Sequence, residues 1–256
     1  MQEVTFNFTG KNFAVIGASS GIGKQVTLEL LQAGANVLAV ARRKELMDEI
    51  YKDYPQQIIT AKLDVTNYDG WDEVLKNFVA EKGKFNGSVY CAGISVDTSL
   101  KGIDIEDLQK VMATNFFGAV MFMKKFIRAT TASSGSSSVW ISSVAAHNGS
   151  PSKITYEASK GAMLAAKRSI ACEIANKQHR LNTVSPAWIE TPMTENLNEA
   201  FNKPKIPSER YILRRFGKPE DISGMILFLL SERSSWITGT DIIIDGGALA
   251  GGCDEL

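Results

Sequence analysis

The stretch Phe13-Ala-Val-Ile-Gly17-Ala-Ser-Ser-Gly21-Ile-Gly23 joins a short apolar run to a segment with helical spacing. Its glycines permit a tight turn, allow the backbone to approach a ligand closely and leave room for the following helix to pack. A helix that begins here directs its free amides and the positive end of its dipole at an anion. We therefore predict a phosphate-binding turn rather than a plain glycine turn, with contacts from Gly17, Ser19, Ser20, Gly21, Ile22 and Gly23.

The alternation of short apolar runs and amphipathic segments continues along the chain. Six further runs have the composition of buried strands: ANVLAV at 35, IITAKLDV at 58, GSVYCAG at 87, SVWISS at 138, LNTVSP at 181 and DIIIDGG at 241. Strands separated by helices imply parallel pairing through right-handed crossovers. Because no Pro-, Gly- or Ser-rich linker divides the chain, we predict one α/β domain over residues 1–256, with a seven-stranded, doubly wound parallel sheet covered by helices on both faces.

Composition excludes several classes of protein. The 28 basic residues balance 28 acidic ones, which leaves no basic field for nucleic acid or anionic lipid. Cys91, Cys172 and Cys253 are scattered, which indicates a reducing compartment with buried or inert thiols, no disulfide framework and no metal site. Apolar runs are too short to span a bilayer, and no signal sequence precedes them, so we expect a soluble cytoplasmic protein.

The residues after the second apolar run bear on the choice of cofactor. About twenty residues after a glycine loop, an acidic side chain binds the ribose 2′-hydroxyl of NAD. Here Ala41 is followed by Arg42 and Arg43, whose guanidinium groups can pair with a 2′-phosphate. This favours NADP(H), with a solvated helix start as the alternative. Asp64 ends the next run and is placed to accept from the adenine amino group, although an aspartate there is commonly a turn residue.

Tyr156 and Lys160 lie within ITYEASKGAMLAAK and project from one face of a helix, because they are four residues apart. A nearby ammonium group favours the charged form of a phenol, whose free pKa of about 10 is too high for acid–base work at neutral pH. Together with Ser143 and the glycine loop, the pair indicates a phenol-based redox site beside a dinucleotide. A solvated tyrosine beside a surface lysine is the alternative for the pair alone.

In their combination and order, these residues resemble the short-chain dehydrogenase/reductase family along essentially the whole chain. The matching landmarks are Gly17-x-x-x-Gly21-Ile-Gly23, Asp64, Cys91-Ala-Gly93, Asn115, Ile141-Ser-Ser143, Tyr156-x-x-x-Lys160, Ser185-Pro186 and Asp245-Gly-Gly247. The resemblance implies a Rossmann-type sheet and a nicotinamide cofactor. It implies a catalytic set of Asn115, Ser143, Tyr156 and Lys160, and further cofactor contacts at Val65, Cys91, Ala92, Gly93, Pro186, Ile189 and Thr191.

The resemblance also implies a role for each catalytic residue. Tyr156 acts as general acid or base, and Lys160 lowers its pKa and holds the ribose. Ser143, chosen over Ser142 by its spacing to Tyr156, donates to the carbonyl oxygen of the substrate. Asn115 is expected to hold a water that links Lys160 to solvent. The chain departs from the family pattern at Ile16, Tyr90, Cys91 and Ala187, which affects local strand, adenosine and nicotinamide contacts.

The segment 191–216 interrupts the alternation and carries three prolines, so it is a candidate substrate lid or a long surface loop. His147, Trp188 and Met193 are expected at the substrate if the implied fold is correct, whereas His179 has the context of a surface residue. Small residues after Tyr156 suit close helix packing, through which the family forms homotetramers; burial against the protein's own sheet is the alternative. These residues are Ala158, Ala162, Ala165 and Ala166.

Three functions fit these features. The first is reduction of a ketone or aldehyde by NADPH, or the reverse oxidation. A specific form is a 3-oxoacyl carrier-protein reductase acting on an acyl-thioester, which requires a basic face for an acidic carrier. Lys124, Lys125, Arg128, Lys177 and Arg180 offer such charge. A non-catalytic NADPH-binding regulator is the third, and the intact catalytic set argues against it.

Overall fold

The computed structural model describes residues 5–194 and 211–251, and its strands form one parallel sheet. The strand order is β3-β2-β1-β4-β5-β6-β7. The strands are β1 Asn12–Ile16, β2 Asn36–Ala41, β3 Ile58–Lys62, β4 Phe85–Tyr90, β5 Ala132–Ile141, β6 Arg180–Pro186 and β7 Asp241–Ile244. The order reverses direction between β1 and β4, which opens a crevice at the carboxyl ends of these strands. The predicted seven-stranded sheet is confirmed.

Helices cover both faces of the sheet, as a doubly wound protein requires. They are α1 Gly21–Gln32, α2 Lys44–Ile50, α3 Trp71–Lys82, α4 Ile105–Met112, α5 Gly118–Phe126, α6 Ile154–Ile174 and α7 Pro219–Leu230. On one face, α1 and α7 bury Val26, Leu30 and Ile226 against the sheet. On the other, α5 and α6 bury Phe122 and Met163. No helix of the described residues is long and apolar enough to span a membrane.

Strand β5 is longer than its apolar run predicts. The prediction began at Ser138, but the strand begins at Ala132 and includes a run of serines. Buried hydroxyls need partners, and these have them: Ser138 Oγ lies 2.8 Å from Ser88 Oγ, and Ser137 Oγ donates to the Leu229 carbonyl at 2.6 Å. Long-range hydrogen bonding therefore takes the place of apolar packing in the serine run of this strand.

The same extension of β5 explains why the prediction of a surface position for His179 is wrong. His179 is buried, and its Nδ1 lies 2.8 Å from Ser136 Oγ in the added part of the strand. The neighbouring Arg180 is also buried, and its guanidinium group donates to the carbonyls of Leu229, Ser231, Ser234 and Ile237. This arginine secures the end of α7 and is not available to a partner.

Helices α4 and α5 are joined without a loop by a π-helical turn at Ala113–Phe117. Such turns are rare and occur frequently at functional sites. Asn115 is at the centre of this turn and is completely buried. An asparagine disfavours a helix interior, so its position here depends on contacts outside the helix.

Candidate active site

A cleft of about 470 Å³ lies over the carboxyl ends of the central strands. All of the residues predicted to bind a cofactor line it, and besides Tyr156 and Lys160 these are the glycine loop, Arg42, Arg43, Asp64, Val65, the segment 91–93, Pro186, Ile189 and Thr191. Ser143, Tyr156, Lys160 and Met193 line the same cleft. Lys110, Thr114 and Thr66 also border it and were not predicted; the first two follow helical spacing, which alone does not indicate a ligand.

The glycine loop has the geometry of a backbone cradle. Gly17 has φ +89°, and a Cβ placed on it would lie 2.7 Å from the Ala92 amide nitrogen. A Cβ on Gly23 would lie 2.3 Å from the Gly17 carbonyl oxygen. These close backbone approaches leave the start of α1 open to an anion, and they fit the pyrophosphate of a dinucleotide.

The paired arginines take different positions at the end of β2. Arg43 Nη2 donates to Ser19 Oγ at 2.9 Å and to Ser20 Oγ at 3.1 Å, which ties it to the glycine loop. Arg42 lies near Asp64, whose Oδ1 accepts from the Thr66 amide and hydroxyl. Those hydrogen bonds lower the pKa of Asp64, and the charge of Arg42 adds to the effect. Asp64 is therefore an ionised turn residue at the edge of the cleft.

Ser143 and Tyr156 both line the cleft, and their side chains interact. Burial raises the pKa of Tyr156, and the hydrogen bond with Ser143 offsets part of that rise. Ser142 has another partner, since its hydroxyl donates to the Lys160 carbonyl at 3.2 Å. The hydroxyl of Ser142 is therefore bound to the backbone of α6, and the choice of Ser143 over Ser142 stays a prediction.

Lys160 is almost completely buried beside the phenol. Its Nζ donates to the Ile141 carbonyl at 2.7 Å and lies 5.6 Å from the centre of the Tyr156 ring. Burial lowers the pKa of Lys160 to about 8. The side chains of the protein alone therefore leave the phenol protonated at neutral pH, and a further positive charge is needed to bring its pKa down.

Burial of Lys160 should cost stability below pH 8. We expect Lys160→Met to be more stable than the unchanged, cofactor-free protein at pH 7 by on the order of 3 kcal/mol. Because the pKa of Lys160 is lowered on folding, the unfolded chain binds the extra proton between pH 8 and about 10. The unchanged protein therefore gains stability as the pH rises through this window, and the difference shrinks. Urea unfolding at several pH values measures it.

Lys76 provides the control for that comparison, because it is exposed on α3. Lys76→Met should change the free energy of unfolding by less than about 0.5 kcal/mol. A difference between Lys160→Met and the unchanged protein that stays constant across this window would contradict the assigned cause.

Two residues predicted at the substrate lie elsewhere. His147 Nε2 is 2.8 Å from Asp241 Oδ2 on β7, so its ring is bound away from the cleft. Trp188 packs against Phe216 with ring centres 6.2 Å apart and borders a separate cavity of about 140 Å³. Of the predicted lid, residues 195–210 lie outside the described part of the chain.

The glycine cradle at α1, the arginines after β2 and the phenol–ammonium pair on α6 define a dinucleotide-binding oxidoreductase. A family model described as enoyl-(acyl carrier protein) reductase matches residues 17–248. The chain belongs to the short-chain dehydrogenase/reductase family.

Individual relatives can be aligned with nearly the whole chain. The 3-oxoacyl-(acyl-carrier-protein) reductase FabG of Thermotoga maritima is 37% identical over 241 residues, covering 93% of this chain and 97% of that protein. A short-chain dehydrogenase/reductase from Brucella melitensis, described as a glucose/ribitol dehydrogenase, superposes with a TM-score of 0.89 at 29% identity, covering 96% and 99% of the two chains. ElxO with NADP bound superposes with a TM-score of 0.84 at 28% identity, covering 94% and 99%. These similarities confirm the Rossmann-type fold.

Proposed function

We propose that the protein reduces a ketone or aldehyde to an alcohol with NADPH, or catalyses the reverse oxidation. The observation that supports this most directly is the convergence of Ser143, Tyr156 and Lys160 on one cleft with the glycine cradle. When bound in the cleft, the nicotinamide supplies or accepts the hydride. The residues of the protein bind and orient the substrate and move the proton.

In the proposed reduction, Ser143 donates a hydrogen bond to the carbonyl oxygen, where negative charge develops. Tyr156 transfers its phenol proton to the same oxygen as general acid. Lys160 favours the resulting phenolate, and it is close enough to the ring to do so. The positive charge on an oxidised nicotinamide acts in the same direction, and this offsets the effect of burial on the pKa of Tyr156.

The preference for NADP(H) is supported by the positions of the arginines at the end of β2. Arg43 is bound to both serines of the glycine loop, and Arg42 lies at the edge of the same cleft. Strand β2 ends at Ala41 and is followed by the two arginines, so no acidic side chain stands where one would bind the ribose 2′-hydroxyl of NAD. ElxO, a structural relative, carries NADP.

Removal of Arg43 tests this preference. We expect Arg43→Ala to weaken NADPH binding by about ten- to a hundredfold and NADH binding by less than about threefold, because one charge-assisted contact to the 2′-phosphate is lost. Arg42→Ala should act in the same direction. Fluorescence titration with both cofactors measures the dissociation constants.

Arg233 is exposed and does not border the cleft, so Arg233→Ala is the control and should bind both cofactors normally. Equal losses for NADPH and NADH in Arg43→Ala would mean that this arginine supports the glycine loop instead of recognising the phosphate. Unchanged NADPH affinity in both cleft variants would refute the proposed phosphate contact.

A 3-oxoacyl carrier-protein reductase is the second candidate, supported by the similarity to FabG of Thermotoga maritima. The basic face it requires is smaller than the sequence indicates. Arg180 is buried, and Lys125 and Arg128 both pair with Asp72. Lys124 and Lys177 are also members of the predicted set; both are exposed, and neither pairs with an acidic side chain of residues 5–194 or 211–251.

An assay of NADPH and NADH oxidation distinguishes the candidates. The panel contains ketones, aldehydes, quinones, sugar ketones and an acetoacetyl thioester, offered free and on a carrier protein. A higher kcat/KM for the carrier-bound thioester that falls with salt supports the second candidate, because docking to an acidic carrier is screened by ions. Turnover of free carbonyl compounds alone supports the first. Tight NADPH binding without any turnover supports a regulator.

We also propose a cytoplasmic homotetramer that associates through α6. Ala158 and Ala165 are exposed on this helix, which argues against burial of the small residues on the protein's own sheet. Light scattering of the purified protein tests the assembly.

The cysteines were expected to be buried or inert. Cys91 borders the cleft, and burial raises the pKa of its thiol to about 12, which fits an inert thiol. Cys172 is exposed on α6, so for this thiol only inertness stays a prediction. Cys253 lies outside the described residues.

A further inference from the structure

The Asn115 amide is the start of a short hydrogen-bonded chain whose direction is determined by the backbone. The Ile94 amide donates to Asn115 Oδ1 at 2.8 Å, and Asn115 Nδ2 donates to the Ile94 carbonyl at 3.0 Å. A main-chain donor and a main-chain acceptor thus define which side of the amide is oxygen and which is nitrogen. The second proton of Nδ2 points to Ser159 Oγ, 2.9 Å away.

Ser159 must accept that bond, because an amide NH₂ group has no acceptor function. The single proton of its hydroxyl is then directed at the Tyr156 carbonyl, 2.7 Å away. Ser159 is completely buried and precedes Lys160 in sequence. One hydroxyl therefore connects the π-helical turn to the turn of α6 that carries both reactive side chains.

The start of α6 depends on such contacts. The helix begins at Ile154, only two residues before Tyr156, and Lys153 at its N-cap makes no side-chain bond to the free amides. An uncapped first turn is weakly defined by its own backbone. Thr155 Oγ1 donates to the Val96 carbonyl at 3.1 Å, so the loop after β4 supports this turn at a second point.

We propose that Ser159 is a positioning residue of the active site, which joins Asn115 to the Tyr156 carbonyl and so holds the Tyr156 and Lys160 side chains in their relative places. The inference rests on the proposed function, since it concerns the same proton-transfer site. It also gives both amide protons of Asn115 to protein atoms. The water expected at Asn115 would have to donate to Oδ1 or bind the backbone.

Loss of the hydroxyl should affect chemistry more than folding. Alanine has a higher helix propensity than serine, so Ser159→Ala should fold. It leaves one Asn115 proton and the Tyr156 carbonyl without this partner, and the first turn of α6 is then free to shift. We expect kcat to fall by about ten- to a hundredfold with little change in the KM for NADPH, because small misplacements of reacting groups are costly.

Two further variants separate positioning from stability. Ser159→Thr keeps the hydroxyl and should restore most of kcat. Ser223→Ala is the matched control: Ser223 is buried on α7, away from the cleft, and its hydroxyl donates to Glu29 Oε1 at 2.6 Å, with the carbonyl three residues earlier at 3.3 Å. Its loss should lower Tm without changing the pH dependence of kcat. Equal effects of Ser159→Ala and Ser223→Ala on kcat and Tm would overturn the proposal.

The ionisation of Tyr156 provides a readout that needs no turnover. Tyrosine labelled with ¹³C at Cζ gives a resonance that is assigned by its loss in Tyr156→Phe, and it is titrated with NADP⁺ present. We expect it to titrate at higher pH in Ser159→Ala, since the ammonium of Lys160 is less constantly beside the phenol, and normally in Ser159→Thr. If Ser159→Ala does not fold, Ser159→Cys takes its place. Its thiol is a weak donor, so we expect the same shift of the Tyr156 titration to higher pH.

This titration keeps the two proposals distinguishable. A shifted resonance in a protein that turns over no carbonyl compound supports the position of Ser159 and refutes the proposed reaction. An unshifted resonance together with normal kcat in Ser159→Ala overturns the role of Ser159 and leaves the reaction intact.

Discussion

Tyr156→Phe should lower kcat for carbonyl reduction by about a thousandfold or more while NADPH binds with unchanged affinity. General acid catalysis contributes about a hundred- to ten-thousandfold, and phenylalanine keeps the ring in place without a proton to transfer. Ser143 loses its partner but retains its own hydroxyl, so some electrostatic stabilisation of the carbonyl oxygen remains. Steady-state kinetics with excess NADPH and a fluorescence titration of the cofactor measure the two quantities.

Tyr54→Phe is the control, since Tyr54 is half-buried after α2 and does not border the cleft. It should retain full activity. If Tyr156→Phe keeps most of its turnover with normal cofactor affinity, the proton comes from another group and the assignment of Tyr156 is incorrect. If the unchanged protein binds NADPH tightly yet reduces nothing on the panel, the comparison instead favours a regulator.

The architecture was predictable because the strands of a doubly wound sheet are buried on both faces and read as short apolar runs. The start of β5 was missed because its buried residues are serines and not apolar residues. The hydroxyl of Ser137 donates to the Leu229 carbonyl, 92 residues away, and no local pattern of hydrophobicity indicates such a contact. His179 was placed on the surface in error because its cover is this same part of β5.

The candidate site follows a similar division. Tyr156 and Lys160 lie one turn apart on the same helix, so the regular geometry of the helix brings them together. Their spacing in the sequence is enough to predict that they lie side by side. The implied fold led to the expectation that His147 faces the substrate. Its ring instead binds Asp241, which lies 94 residues later on β7, and no local pattern of the sequence indicates that contact. Asn115 lies within a helix that its residue type disfavours, and the contacts that compensate for this are the Ile94 backbone and Ser159, which no local pattern of the sequence indicates.

Gly23→Ala should weaken NADPH binding by at least about a hundredfold and destabilise the protein by on the order of 2 kcal/mol. The new Cβ would lie 2.3 Å from the Gly17 carbonyl oxygen and 2.9 Å from its carbon, and these are backbone atoms that cannot rotate away. Gly17 has no room to retreat, since its own Cβ position already meets the Ala92 amide at 2.7 Å. The loop must therefore move as a whole, and its amides leave the position in which they face a phosphate.

Gly224→Ala distinguishes this effect from a general response to alanine in a helix. Gly224 lies within α7, and a Cβ there meets no atom of the described residues within 4 Å, so the substitution should stabilise the protein by about 1 kcal/mol. Thermal unfolding without cofactor and titration with NADPH measure both variants. Normal NADPH affinity in Gly23→Ala would mean that the pyrophosphate is not bound by this loop. A loss of stability alone, with affinity intact, would separate the packing role of Gly23 from cofactor recognition and leave recognition to the arginines after β2.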